Sequence, residues 1–87
     1  MKFGEAVERA KRGQKIAREN WNGKGMFVFF NPSSDITVSE GRPLAASFPV
    51  GTKIHCREYL MMKTVNNELV PWVASQSDII EEDWITV

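Results

Sequence analysis

Several things are scarce in this sequence. Cys56 is the single cysteine among 87 residues. A lone thiol forms no internal disulfide and builds no cysteine-based zinc site, so a reducing, cytoplasmic setting is expected. His55, the single histidine, is its neighbour. Adjacent residues on a strand point to opposite faces, so the two do not meet as a nucleophile and base, which need hydrogen-bond reach. A buried thiol and a satisfied or exposed imidazole are expected instead. The longest unbroken apolar run is Met26 to Phe30, far short of the roughly 20 residues of a membrane span. The opening residues include Lys2, Glu5, Glu8, Arg9, Lys11 and Arg12, which leaves no apolar run for a signal peptide. Excess charge is also missing, with eleven residues of each sign. Such a balance argues against general duplex nucleic-acid binding, which takes many cations that displace counterions.

Catalytic patterns are equally thin. Gly23-Lys24-Gly25 is too short for a phosphate loop, which needs wider glycine spacing and a Ser or Thr after the Lys. Glu81-Glu82-Asp83 lacks a partnering ligand set and reads as a solvated acidic face. No Ser-His-Asp grouping stands out. The expectation is therefore a protein without catalytic residues, metal or cofactor, and not an enzyme.

What is present is enough for one small fold. Val, Ile, Leu and Phe number 22 of 87, above the roughly 20% level below which chains tend to disorder. At 9.9 kDa a compact monomer exposes roughly 5,200 Å² and buries about 64% of its chain surface, a modest core. Charge is uneven along the chain: residues 1–43 carry a net +3 and residues 44–87 a net −3. This points either to complementarity within or between chains, or to a local basic pocket for a small anion.

Periodicity predicts an α+β domain over residues 1–87: an N-terminal helix packed on a small antiparallel sheet. Phe3, Ala6, Val7 and Ala10 make one helical stripe over Phe3–Arg12, with Glu8 and Arg12 as an i,i+4 pair and Gly13 as the terminator. A short strand is expected over 14–18 with Ile16 inward. Residues 26–31 form the clearest strand; they alternate little, so both faces should be covered, the second by another subunit. Residues 32–35 read as a turn, 36–38 as a short edge strand and 39–51 as irregular. Residues 52–59 read as a strand, 60–65 and 68–72 as a hairpin across Asn66-Asn67, and 84–87 as a last strand. Before that strand, Ser77 is expected to cap one helical turn, with Asp78 near its positive end.

The remaining signal is aromatic and polar. Trp21 sits among Asn20, Asn22, Gly23 and Lys24, and Trp72 precedes Ser75, Gln76, Ser77 and Asp78. Trp84 reads as core. For Trp21 and Trp72 two readings stand, core packing or a stacking platform for a flat base. Lys15, Arg18 and Lys24 bracket Trp21, as surface charges or as phosphate partners.

Four segments go further: Met1-Lys2-Phe3-Gly4-Glu5-Ala6 opening the helix, Ala17-Arg18-Glu19-Asn20-Trp21-Asn22-Gly23-Lys24-Gly25-Met26-Phe27, Val70-Pro71-Trp72-Val73-Ala74-Ser75-Gln76-Ser77-Asp78, and Glu82-Asp83-Trp84. In order and spacing the chain resembles the small phage protein family Thoeris anti-defence 2, over essentially its whole length. Residues 36–58 are the least characteristic. The resemblance implies a sponge. It would bind the cyclic ADP-ribose isomer (the 1''-3' glycocyclic form) made by bacterial TIR-domain immunity in the host cytoplasm, without cleaving it. It further implies capture of CBASS cyclic oligonucleotides by some members, and a homotetramer built as a dimer of dimers with pockets at subunit junctions. Carried over residue by residue, the implied ligand site is Phe3, Trp21, Asn22, Lys24, Trp72, Ser75, Gln76 and Asp78. The alternative is an inhibitor that binds a host protein through the same aromatics. A hydrolase of the signal ranks below both.

Overall fold

The computed structural model describes residues 1–21 and 24–87. A helix, α1 (Phe3–Lys11), is followed by β1 (Ile16–Arg18), β2 (Phe27–Asn31), β3 (Ser34–Thr37), a 3-10 turn (Pro43–Ala46), β4 (Lys53–Cys56), β5 (Tyr59–Lys63) and β6 (Leu69–Pro71). A short helix, α2 (Gln76–Ile80), and β7 (Trp84–Thr86) complete the chain. Five strands form an antiparallel sheet in the order β6-β5-β2-β1-β7, and β3 and β4 form a separate two-stranded arm. The fold is α+β, with the helix on the sheet as the periodicity predicts.

The apolar stripe explains how α1 docks. Ala6 and Ala10 are completely buried, and with Ile16, Val28 and Trp84 they make the core. Alanine at these positions lets the helix axis approach the sheet, where larger side chains hold it off. The helix ends in a Schellman motif: the Gly13 N–H donates to the Ala10 carbonyl at 2.9 Å and the Gln14 N–H to that of Arg9 at 3.2 Å. Gly13 takes φ +96° there, the left-handed region that glycine enters without a Cβ penalty. Arg12 has already left helical geometry as the C-cap. Glu8 therefore pairs with Lys11 at 3.6 Å rather than with Arg12 as the spacing suggested.

Other boundaries differ for identifiable reasons. The strand expected over 52–59 is two strands, because Arg57 and Glu58 carry the chain from the arm into the main sheet. Ser34 and Asp35 belong to β3, pairing with Cys56 and His55, rather than to a turn. His55 is exposed, with Nδ1 3.1 Å from an Asp35 carboxylate oxygen. Cys56 is half-buried on the alternate face. The hairpin across Asn66-Asn67 forms as expected, with Asn67 at φ +62°.

One arginine joins elements far apart in sequence. Arg18, at the end of β1, donates from Nε to Asp83 at 2.8 Å and from Nη1 to Asp78 at 3.0 Å. All three side chains are largely shielded from solvent. Asp83 is thus not part of a solvated acidic face, and Arg18 is engaged internally rather than free for a phosphate. This pairing, together with the longer Lys2–Glu82 contact at 4.0 Å, shows where the opposite charges of the two halves go.

Arg18 is raised above its ordinary value by its hydrogen bonds to Asp83 and Asp78. Asp83 is held low chiefly by the Arg18 hydrogen bond, against its desolvation. For Asp78 the largest influence is burial, which opposes ionisation. The Ser75 backbone N–H, Arg18 and the Ser75 side chain outweigh it and lower the value.

Two tests follow from this architecture. Gly13→Ala meets nothing within 4 Å and acts through backbone strain alone. It should cost about 1–2 kcal/mol, a fall of about 4–8 °C in Tm per kcal/mol. Gly4→Ala, inside α1 and equally unobstructed, should leave Tm unchanged or raise it, by no more than about 1 kcal/mol. Thermal melts in which the two variants behave alike would contradict the Schellman assignment. Acid titration tests the arginine bridge. Both aspartates titrate lower in the folded chain than in the unfolded one, so their contribution is complete above about pH 4. It is lost as pH falls through their folded values. The Tm gap between the parent and Asp83→Asn should be wide at neutral pH and narrow below about pH 4. A gap independent of pH would count against the bridge.

Candidate functional site

The site is organised around Trp84, which is fully buried. Its indole N–H donates to the Asp78 carbonyl at 2.8 Å, so the polar atom of this large side chain is satisfied inside the core. Three aromatics lean on it. Phe3, from the first turn of α1, is 5.5 Å away between ring centroids. Trp21, after β1, meets it edge-on at 5.4 Å. Trp72, after β6, meets it edge-on at 6.0 Å and lies 6.2 Å from Phe3. These are favourable edge-to-face and tilted separations. Trp84 is core, as its place in the last strand suggested. Phe3, Trp21 and Trp72 are each half-buried, packed below and open at an edge.

Backbone anchors set each aromatic. The Trp21 N–H donates to the Arg18 carbonyl at 3.2 Å. Asp83 accepts from the Asn20 N–H at 3.3 Å, which fixes the same turn from the other side. The Trp72 N–H donates to the Leu60 carbonyl at 3.3 Å, and Met1 and Trp84 pair through their main chains. The arginine bridge therefore reaches the site: Arg18 precedes Trp21, Asp83 precedes Trp84, and Asp78 lies in α2.

The polar residues cluster at the start of α2. Ser75, not Ser77, is the N-cap. Its hydroxyl accepts from the Asp78 N–H at 3.1 Å, and the Asp78 carboxylate accepts from the Ser75 N–H at 2.9 Å. This reciprocal pair is a capping box, and Ser75 wins because it lies three residues before an acid that can reach back. Both carboxylate oxygens of Asp78 thus have partners within the chain, Arg18 and Ser75. Gln76 is exposed at the first position of α2. Lys24 is exposed in the turn that leads to β2, and Asn22 lies outside the described residues.

The structure thus gathers Phe3, Trp21 and Trp72 on Trp84, with Asp78 joined to Trp84 through its carbonyl and the exposed Ser75 tied to Asp78 by the capping box. Beside Phe3 runs an open groove of about 490 Å³, lined by Lys2, Phe3, Gly4, Ile79, Ile80 and Glu82. This lies within the size range of small-molecule sites, roughly 300–1,000 Å³. A second groove of about 430 Å³ sits on the arm, lined by Ile36, Val38, Arg42 and Leu44 among others, away from the aromatics. Sequence reasoning did not find Arg18 and Asp83 as positioning residues. They are 65 positions apart, and no local pattern links them. Lys2 and the Ile79-Ile80 wall were also not singled out. The capping box did leave a signal in Ser75-x-x-Asp78, which the expectation of Ser77 as the cap passed over.

Comparison with known proteins places the chain over its full length. The family model described as a Thoeris anti-defense 2-like domain matches residues 1–87. The protein Thoeris anti-defense 2 of Bacillus phage SP01 is 39% identical over 89 aligned residues, covering 97% of this chain and 91% of the relative. With a family match over residues 1–87 and a relative 39% identical across nearly the whole of both chains, the chain belongs to the Thoeris anti-defense 2-like family.

Proposed function

We propose that this chain counters bacterial TIR-domain immunity by binding a cyclic ADP-ribose isomer and holding it intact. Membership of the family gives the coarser part, a phage anti-defense role. The observation that carries the finer part is the rim of Phe3, Trp21 and Trp72, each packed on a buried Trp84 and each open at an edge. Rings already packed on that floor leave less ordering entropy to be lost when a base stacks. Adenine would stack on Trp72 or Trp21, and Ser75 and Gln76 would contact ribose or base edges. Lys24, with Lys2 at the neighbouring groove, would face the diphosphate, where cations strengthen hydrogen bonds. Asp78 would act beneath the ligand by fixing Ser75. No residue in this scheme attacks the ligand or moves a proton, and binding alone removes the signal from its effector. The same resemblance extends the reading to CBASS cyclic oligonucleotides and to a homotetrameric assembly of two dimers.

Release by denaturation tests this. The protein is incubated with the cyclic ADP-ribose isomer, freed of unbound ligand and denatured, and the released nucleotide is weighed. Intact ligand is expected. A cleaved product would favour hydrolysis, and an empty supernatant would favour the host-protein inhibitor.

Substitutions separate rim from core. Stacking is worth about 1–3 kcal/mol per base, and each 1.4 kcal/mol is tenfold in affinity. Trp72→Ala should thus weaken binding roughly 5- to 150-fold while the protein stays folded. Trp84→Ala should instead cost about 3–5 kcal/mol of stability, since its ring is fully buried. A folded Trp72→Ala and a folded Trp21→Ala that both bind as tightly as the parent would sink the aromatic rim as the site.

A further inference from the structure

The groove beside Phe3 has one lining residue that the fold itself does not call for. Gly4 lies within α1 and borders that groove. Glycine weakens a helix interior relative to alanine, so a physical reason for it is wanted. Backbone geometry gives none. The positive-φ glycines among the described residues are Gly13, Gly25, Gly41 and Gly51, whereas Gly4 keeps helical geometry. Close packing gives none either, because a Cβ at Gly4 meets nothing within 4 Å. The helix approaches the sheet through Ala6 and Ala10, both completely buried, while Gly4 is exposed. What the missing side chain leaves free is room in the groove.

The rest of the lining has a mixed chemistry. Ile79 and Ile80, on α2, are 48% and 69% exposed and form an open apolar wall. Lys2 and Glu82 border the same groove, with Nζ and Oε1 4.0 Å apart. That contact is too long for a hydrogen bond. Both side chains are mostly exposed, so separating them costs little. Phe3 belongs to the groove and to the aromatic rim alike, with its ring 6.2 Å from that of Trp72. A molecule stacked on Trp72 therefore has the groove beside it.

We infer that this groove takes the second ribose and the diphosphate of a cyclic ADP-ribose isomer whose adenine stacks on the rim, and that Gly4 sets its width. This subsite rests on the nucleotide reading above and adds to it a place for the half of the ligand that the rim does not hold. Charge and polarity favour that occupant. The Lys2 ammonium faces phosphate oxygens, a charge-assisted contact. The Glu82 carboxylate, an acceptor only when ionised, takes hydrogen bonds from sugar hydroxyls. The carbon face of the sugar lies against Ile79 and Ile80. A wholly apolar occupant would match the isoleucines and neither charge.

Side-chain size at position 4 tests the subsite. Binding of the cyclic ADP-ribose isomer is measured for the parent, Gly4→Ala and Gly4→Leu, beside adenosine monophosphate, which lacks the second ribose and phosphate. Both variants should melt no lower than the parent, since alanine and leucine favour the helix. Gly4→Leu should bind the cyclic ligand roughly 10-fold more weakly or worse, the scale on which a pocket rejects a misfit of a methylene or more. Gly4→Ala should fall between it and the parent, and both should bind adenosine monophosphate as the parent does. A Gly4→Leu variant that binds the cyclic ligand as tightly as the parent overturns the subsite and leaves the rim standing. Equal weakening for both ligands places the damage at Phe3 and also overturns it. A parent that binds neither ligand fails the nucleotide reading, and the subsite falls with it. If Gly4→Leu does not fold, or adenosine monophosphate binds too weakly to compare, carbon-13 methyl spectra of the parent decide. The Ile79 and Ile80 signals should shift with the cyclic ligand while that of Leu44, in the groove on the arm, stays in place. Isoleucine signals that move no more than Leu44 overturn the proposal.

Discussion

A single guanidinium held between two carboxylates joins the ends of this fold. Arg18 closes β1, Asp78 lies in α2, and Asp83 leads into β7. Without that bridge, two acids and one base would be shielded from water with too few partners, a costly state for any of them. With it, each carboxylate does a second task. Asp78 completes the cap of α2 through Ser75, and Asp83 holds the turn before Trp21 through Asn20. The bridge thus braces the turn before Trp21 and the cap of α2 that follows Trp72.

The aromatic cluster depends on this in turn. Trp84 is large for so small a core, and its indole N–H needs an acceptor once buried. The Asp78 carbonyl supplies it, because the capping box fixes the backbone of α2 at that point. Phe3, Trp21 and Trp72 then find a solid floor. Small alanines at the helix–sheet contact and large rings at its open end give the core a taper. On the proposed reading, a flat ligand would lie at the wide end, against the half-buried rings.

Local order was legible in the sequence to the extent that local forces decide it. The 3-and-4 spacing of Phe3, Ala6, Val7 and Ala10, the glycine after Arg12 and the Asn66-Asn67 turn each specify their own geometry within a few residues. The lack of alternation over 26–31 was informative too, since it marked the strand with an apolar outer face. The arginine bridge was not legible, because a charge pattern does not say which of eleven acids a given arginine meets. The split of 52–59 into two strands was hidden for a related reason: pairing partners across the chain, Ser34 with Cys56 and Asn31 with Tyr59, set that boundary. Of the candidate site, the two tryptophans and Ser75 were readable as a motif. That they converge on Trp84 is a property of the packed sheet.

The central claim is that ligand meets the rim tryptophans and leaves the floor alone. The three indole Nε1–H resonances report this directly in a nitrogen-15 correlated NMR titration with the cyclic ADP-ribose isomer. The account predicts large shifts for Trp21 and Trp72, and a Trp84 signal that stays near its position and exchanges slowly with solvent, because its N–H is buried on the Asp78 carbonyl. Saturable binding that leaves the Trp21 and Trp72 signals in place would contradict it.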